Sequence, residues 1–132
     1  MQSLQQQPNT HNPSPEKIIL VVEDDDSIGS MLLEALSQET PYKPVWVSDG
    51  FQALQAVRST KPDLFITDYR LPNMNGIELY DRLRGTHNFD NTPAIIMSAY
   101  LPEDEVRKRR LIGLNKPFEI DEFLETIEKL IP

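Results

Sequence analysis

Five short runs of apolar residues divide the chain. They are Lys17 to Val22, Pro44 to Ser48, Leu64 to Ile66 leading into Thr67-Asp68, Pro93 to Met97, and Leu111 to Asn115. Within the runs around Ile18-Ile19-Leu20-Val21-Val22 and Leu64-Phe65-Ile66 the apolar residues are continuous rather than alternating. That pattern fits strands buried on both faces, as in a parallel sheet. Between the runs the spacing changes to that of helices. Ile28, Met31, Leu32, Ala35 and Leu36 fall on one helical face, as do Ile120, Phe123, Leu124, Ile127 and Ile131, the clearest such stripe in the chain. Shorter helices are predicted around Ala53, Leu54, Ala56 and Val57, from about Ile77 to Arg84, and after Pro102.

Local signals mark the boundaries. Asp26 or Ser27 is expected to cap the first helix, Asp49-Gly50 to form a turn, and Asn75 with Glu78 to form a capping box. Pro102 suits a first helical position. Glu103, Asp104 and Glu105 then start that helix and Arg107 to Arg110 end it, an order that complements the helix dipole, so the basic run reads as a solvated helix end. His87 reads as a surface loop residue. A strand–helix unit repeated five times predicts an α/β domain, a parallel sheet with helices on both faces. Right-handed crossovers favour the doubly wound, flavodoxin-like five-stranded order 2-1-3-4-5.

The 132 residues suit one such domain. Residues 1–15, with Gln5-Gln6-Gln7-Pro8 and Pro13-Ser14-Pro15, offer almost no apolar surface and read as a disordered polar tail; residues 16–132 read as the folded unit. The net charge of −8 disfavours nonspecific contact with nucleic acid or anionic membrane. There is no cysteine, which excludes thiolate chemistry and fits a reducing compartment, the cytoplasm. No run approaches a membrane span, and no secretory signal is present.

What these patterns leave unexplained is polar residues at strand ends. The first strand runs into Glu23-Asp24, the third into Asp68, the fourth into Ser98, and the fifth into Lys116. The helix dipole accounts for Asp25 and Asp26 better than for Glu23 and Asp24. A carboxylate at the end of a buried strand is costly unless it is paired, metal-bound or open to a cleft. In open parallel sheets, clefts lie at the carboxyl ends of the strands. The predicted fold therefore gathers all five residues at one edge. Three carboxylates repel one another, and a hard divalent cation such as Mg²⁺ relieves the conflict. Lys116 adds a charge for a phosphate-type anion and Ser98 a hydroxyl, so the set could accept a phosphoryl group on Asp68.

Val21-Val22-Glu23-Asp24, Ile66-Thr67-Asp68-Tyr69-Arg70-Leu71-Pro72-Asn73-Met74-Asn75-Gly76, Ser98-Ala99 and Lys116-Pro117-Phe118 resemble, in order, the motifs of the receiver domain of two-component response regulators. The resemblance extends from about Lys17 to the C-terminus. It implies that Asp68 is the phosphoacceptor, taking its phosphate from a sensor histidine kinase or a phosphotransfer protein. It implies Mg²⁺ (or Mn²⁺) on Asp24, Asp68 and the Arg70 backbone carbonyl, with Glu23 acting through a water. Ser98 and Lys116 would hold phosphoryl oxygens, and the Lys116–Pro117 bond would be cis. Such a domain is a signalling domain, not an enzyme beyond its own phosphorylation and dephosphorylation. With no DNA-binding helix pair after Ile131, output is expected through a downstream protein or a phosphorelay.

Two features depart from the family pattern. Gly113 occupies the place, three residues before the lysine, where receiver domains usually carry Tyr or Phe. Only residues 100–115 separate Ala99 from Lys116, so the fourth helix should be short. Both departures keep open an alternative, a receiver-fold binding module with vestigial switching. Tyr100 is the nearest replacement for the missing ring. A phosphatase using Asp68 as nucleophile is disfavoured, because Arg70 stands where its general acid would be.

Overall fold

The computed structural model describes residues 16–131; the expected polar tail, residues 1–15, lies outside them. Strands β1 (Ile18–Val22), β2 (Lys43–Val47), β3 (Leu64–Asp68), β4 (Ala94–Ser98) and β5 (Ile112–Asn115) alternate with helices α1 (Asp26–Glu39), α2 (Gly50–Val57), α3 (Gly76–Arg84), α4 (Glu103–Lys108) and α5 (Ile120–Leu130). All strand pairs are parallel and the order is β2-β1-β3-β4-β5. This is the 2-1-3-4-5 sheet expected from the alternation.

The continuous apolar runs have the burial that their pattern requires. Every residue of β3 and β4 is buried. Alternate side chains feed two cores. On one face Leu20, Val22, Phe65 and Ile96 pack under α2 and α3; on the other Ile19, Val21, Ile66 and Ile95 pack under α1 and α5. Phe65 and Tyr80 each meet Phe89 edge-on, with ring centroids 5.3 and 5.9 Å apart. Burying one such side chain stabilises by ~1.5–3 kcal/mol. Truncating Phe65 to Ala is expected to cost ~3–5 kcal/mol, because the site could not collapse.

Helix boundaries shift where several good caps lie side by side. Asp25, not Asp26 or Ser27, caps α1, its Oδ1 accepting from the Ile28 N–H at 3.0 Å. Asp49 caps α2 directly, so Gly50 opens the helix rather than completing a separate turn. The Asn75–Glu78 capping box is present with both bonds at 2.9 Å. Pro102 is the residue before α4 rather than its first residue, and α4 is short, at 6 residues. Met31 turns outward at 42% exposure; Gly29, Leu32 and Leu36 form the buried face of α1.

The basic run at the end of α4 is not wholly solvated. Arg107, Lys108 and Arg110 are exposed. Arg109 instead reaches α3, its Nε and Nη2 donating to Asp81 at 2.7 and 2.8 Å while Nη1 donates to Glu105. It pins α4 against α3.

Candidate phosphoryl and metal site

The carboxyl ends of β1, β3, β4 and β5 bring Glu23, Asp24, Asp68, Ser98 and Lys116 to one edge of the sheet. Oxygen atoms of Glu23, Asp24 and Asp68 lie within 4.8 Å of one another. Glu23 is 1% exposed and Asp68 8%, whereas Asp24 faces solvent. The Lys116 ammonium donates to Glu23 Oε1 at 3.0 Å and stands 3.1 Å from Asp68 Oδ1. One cation thus bridges two buried carboxylates drawn from opposite parts of the chain.

Each residue is held by its element. The Glu23 N–H donates to Val47 O at 3.1 Å, and the Trp46 indole Nε1 donates to the Glu23 carbonyl at 2.9 Å, so β2 holds Glu23 by both of its backbone polar groups. Glu23 Oε2 accepts from the Asp25 N–H at 3.2 Å. The loop after Asp68 folds back through Asn73, whose φ of 71° lies in the left-handed region that Asn tolerates. Gly76 closes it against the Asp68 carbonyl, where a Cβ would come within 2.6 Å. The Lys116 N–H donates to Ser98 O at 2.9 Å, and the Lys116–Pro117 peptide is cis. Phe118 stacks on Phe123 of α5 with centroids 5.6 Å apart, which anchors the segment carrying the lysine.

Burial is the main cause that pushes Asp68 and Glu23 above the usual carboxylate range; hydrogen bonds from Lys116 pull both back, and charge repulsion is a smaller upward effect. For Lys116, burial opposes the charge, but its bonds to Glu23 and Asp68 outweigh burial and raise its pKa. The mutual repulsion expected from the sequence is present but smaller than the effect of burial.

The remaining residues differ in how they sit. Ser98 is buried, and its hydroxyl donates to Tyr100 O and accepts from Tyr100 N–H, both at 3.1 Å. The Arg70 side chain is exposed. His87 is an exposed residue of a short 3-10 turn, as expected. Sequence reasoning missed Trp46, whose bond to the Glu23 carbonyl has no motif. The one available signal was a bulky indole paired in register near the acidic strand end.

A doubly wound sheet with a buried carboxylate–lysine cluster on its carboxyl edge defines the class: an α/β domain whose candidate site lies at the strand ends. Residues 19–128 match the response regulator receiver domain, and the chain belongs to that family, the signalling domains of two-component systems. Sporulation initiation phosphotransferase F of Bacillus subtilis is 34% identical over 86% of this chain and 93% of its own. The chemotaxis response regulator CheY4 of Vibrio cholerae superposes with a TM-score of 0.80, at 26% identity over 89% of this chain and 100% of that one. The receiver domain of the sensor histidine kinase PA1611 from Pseudomonas aeruginosa superposes at 0.73, with 26% identity over 89% of this chain and 98% of that one. It was solved with a magnesium ion coordinated in its active-site cleft. Other relatives are far longer: the chain spans 8% of hybrid signal transduction histidine kinase D of Dictyostelium discoideum. No helix among the described residues is long and apolar enough to cross a membrane.

Proposed function

We propose that this domain accepts a phosphoryl group on Asp68 from a phosphohistidine of a sensor kinase or phosphotransfer protein, and passes the signal on by protein contact or phosphorelay. The observation that carries this reading is the Lys116 ammonium shared by Glu23 and Asp68, with Asp24 alongside. In the transfer, an Asp68 carboxylate oxygen forms the new P–O bond. The P–N bond to the donor imidazole breaks, and the imidazole nitrogen keeps the electron pair.

The residues fit a hard divalent cation: the cluster offers only oxygen ligands, two of them buried beside one exposed carboxylate. Asp24, Asp68 and the Arg70 backbone carbonyl would hold it, with Glu23 acting through a water. Bound Mg²⁺ or Mn²⁺ would supply neutralisation of charge on the transferring group. Lys116 and the Ser98 hydroxyl would hold phosphoryl oxygens, so positioning and charge complementarity, the main needs of such a transfer, would come from this chain's own residues. A domain of this kind turns over nothing beyond its own acyl-phosphate. Its expected setting is the cytoplasm, with no direct role for DNA or membrane.

Incubation with acetyl phosphate and Mg²⁺, followed by borohydride trapping and mass mapping, tests the reading. Label on Asp68, lost in Asp68→Asn, is expected. Label on Ser98, or full labelling of Asp68→Asn, would overturn it.

A further inference from the structure

Gly113 is not a glycine for backbone reasons. Its φ is not positive, and it pairs in register with Ile96 as an ordinary strand residue. What it provides is space. A Cβ built there would lie 2.7 Å from Leu101 Cδ1 and 3.4 Å from Cδ2, so the Leu101 side chain occupies the place that a side chain at 113 would fill. Leu101 packs onto the core that contains Val106 and Leu111. Beside this seat lies a cavity of about 340 Å³ bordered by Leu101, Val106, Arg107, Leu111 and Gly113, which leaves Leu101 room to move.

Leu101 is also tied to the site. It is three residues past Ser98, at the end of the turn that the Ser98 hydroxyl closes by bonding both Tyr100 O and Tyr100 N–H. A hydroxyl has one proton to donate. Ser98 can give it to the Tyr100 carbonyl or to an anion at Asp68, not to both. Tyr100 itself is 83% exposed, so its ring buries little that would fix this loop. The anchor of the loop is therefore Leu101, not the tyrosine ring that the sequence offered as a replacement for the missing aromatic.

We infer that Leu101, seated over Gly113, is the moving part that reports occupancy of the Asp68 site. In the resting state the Ser98–Tyr100 turn is closed and Leu101 is seated. When a phosphoryl oxygen accepts the Ser98 hydrogen bond in place of Tyr100 O, the turn opens and Leu101 leaves its seat over β5 for the adjoining cavity. The two states bind the anion unequally because only the open one frees the Ser98 proton, which is the requirement for a switch. The inference rests on the proposed role of Asp68 and adds which side chain carries the change.

The probe is beryllofluoride with Mg²⁺, titrated into the full chain and followed by carbon-13 methyl NMR of Leu101. Its methyl resonances are expected to shift on saturation in the wild type and not in Ser98→Ala. Gly113→Ala, whose methyl displaces Leu101, is expected to bind beryllofluoride about 3–10-fold more tightly, because the resting seat is lost. Leu101→Ala empties the seat without touching β5 and is expected to act the same way. Beryllofluoride saturation with unmoved Leu101 methyls would overturn the relay alone, as would both variants binding within twofold of wild type. Failure of the wild type to bind beryllofluoride would overturn the Asp68 reading, and the relay with it.

Discussion

Lys116 Nζ stands 3.1 Å from Asp68 Oδ1, so the proposed phosphoacceptor rests against the cation that would later hold its phosphoryl oxygens. Glu23 shares the same ammonium at 3.0 Å. With Asp24 counted, three carboxylates face one ammonium, and two of the three are buried. The ion-free site carries an unbalanced negative charge.

Asp68→Asn is therefore expected to stabilise the protein in EDTA. The environment of Asp68, burial first, disfavours its charged form and raises its pKa. The amide removes that charge and still offers Lys116 an acceptor oxygen. A gain of order 1 kcal/mol is expected from relief of repulsion with Glu23 and Asp24 at an effective dielectric of about 20. Mg²⁺ should then stabilise wild type more than the variant, because it binds the folded site. Thermal melts with and without Mg²⁺ decide; a variant melting lower than wild type in EDTA contradicts the account.

The same gain should depend on pH. The folded-state pKa values of Asp68 and Glu23 lie above their ordinary values of 3.8 and 4.5, so the folded site takes up protons relative to the unfolded chain. Stability contributed by this uptake is fully present below the ordinary values and is lost as pH rises through the raised ones. The advantage of Asp68→Asn over wild type is thus expected at pH 7 and should shrink as pH falls through the raised Asp68 pKa. Urea titrations of both proteins across that window test the sign. An advantage that grows on acidification would mean that Asp68 is held charged.

The fold and the acidic edge were legible because both follow from short-range rules. Continuous apolar runs give buried parallel strands, and parallel strands bring their ends together, so Glu23, Asp24, Asp68, Ser98 and Lys116 could be grouped before any coordinates. The supports were not legible. Asp26 and Ser27 were the caps expected from sequence, yet Asp25, one residue earlier, caps α1 by accepting from the Ile28 N–H. Trp46 Nε1 on the Glu23 carbonyl and Arg109 on Asp81 join residues far apart in sequence through side-chain direction, which no spacing rule encodes. Leu101 over Gly113 reads in sequence only as an absence, a glycine where an aromatic was expected.

The Arg109–Asp81 clamp is expected to contribute modestly and to be sensitive to salt and acid. The pairing is bidentate, but the Asp81 side chain is 49% exposed, so solvent screens it. Asp81→Asn should cost about 0.5–1 kcal/mol, less in high salt. The Arg109 hydrogen bond holds the Asp81 pKa below its ordinary 3.8. The contribution is therefore present above 3.8 and lost as pH falls through the depressed value. A chemical-denaturation comparison at two salt concentrations checks it; an undiminished effect in high salt would show that Asp81 acts through packing instead.

Gly29→Ala sets two opposed effects against each other. Alanine in a helix interior is worth ~1 kcal/mol over glycine. Against this, a Cβ at position 29 would lie 2.2–2.5 Å from three atoms of the Trp46 ring, far inside contact distance. The ring cannot yield cheaply, because its Nε1 is bonded to the Glu23 carbonyl at 2.9 Å and moving it breaks that bond. Overpacking of this kind costs ~1–3 kcal/mol, and freeing the carbonyl of the buried Glu23 adds to it. Net destabilisation of about 1–3 kcal/mol is expected. Because the chain has one tryptophan, its emission reports on the displaced ring alone and should shift to the red in the variant. Mg²⁺ affinity should fall with it, since the Glu23 backbone loses one of its two ties to β2. Combining the change with Trp46→Phe separates the causes: a ring without the N–H restores little affinity if the indole bond matters, and most of it if the loss came from crowding alone.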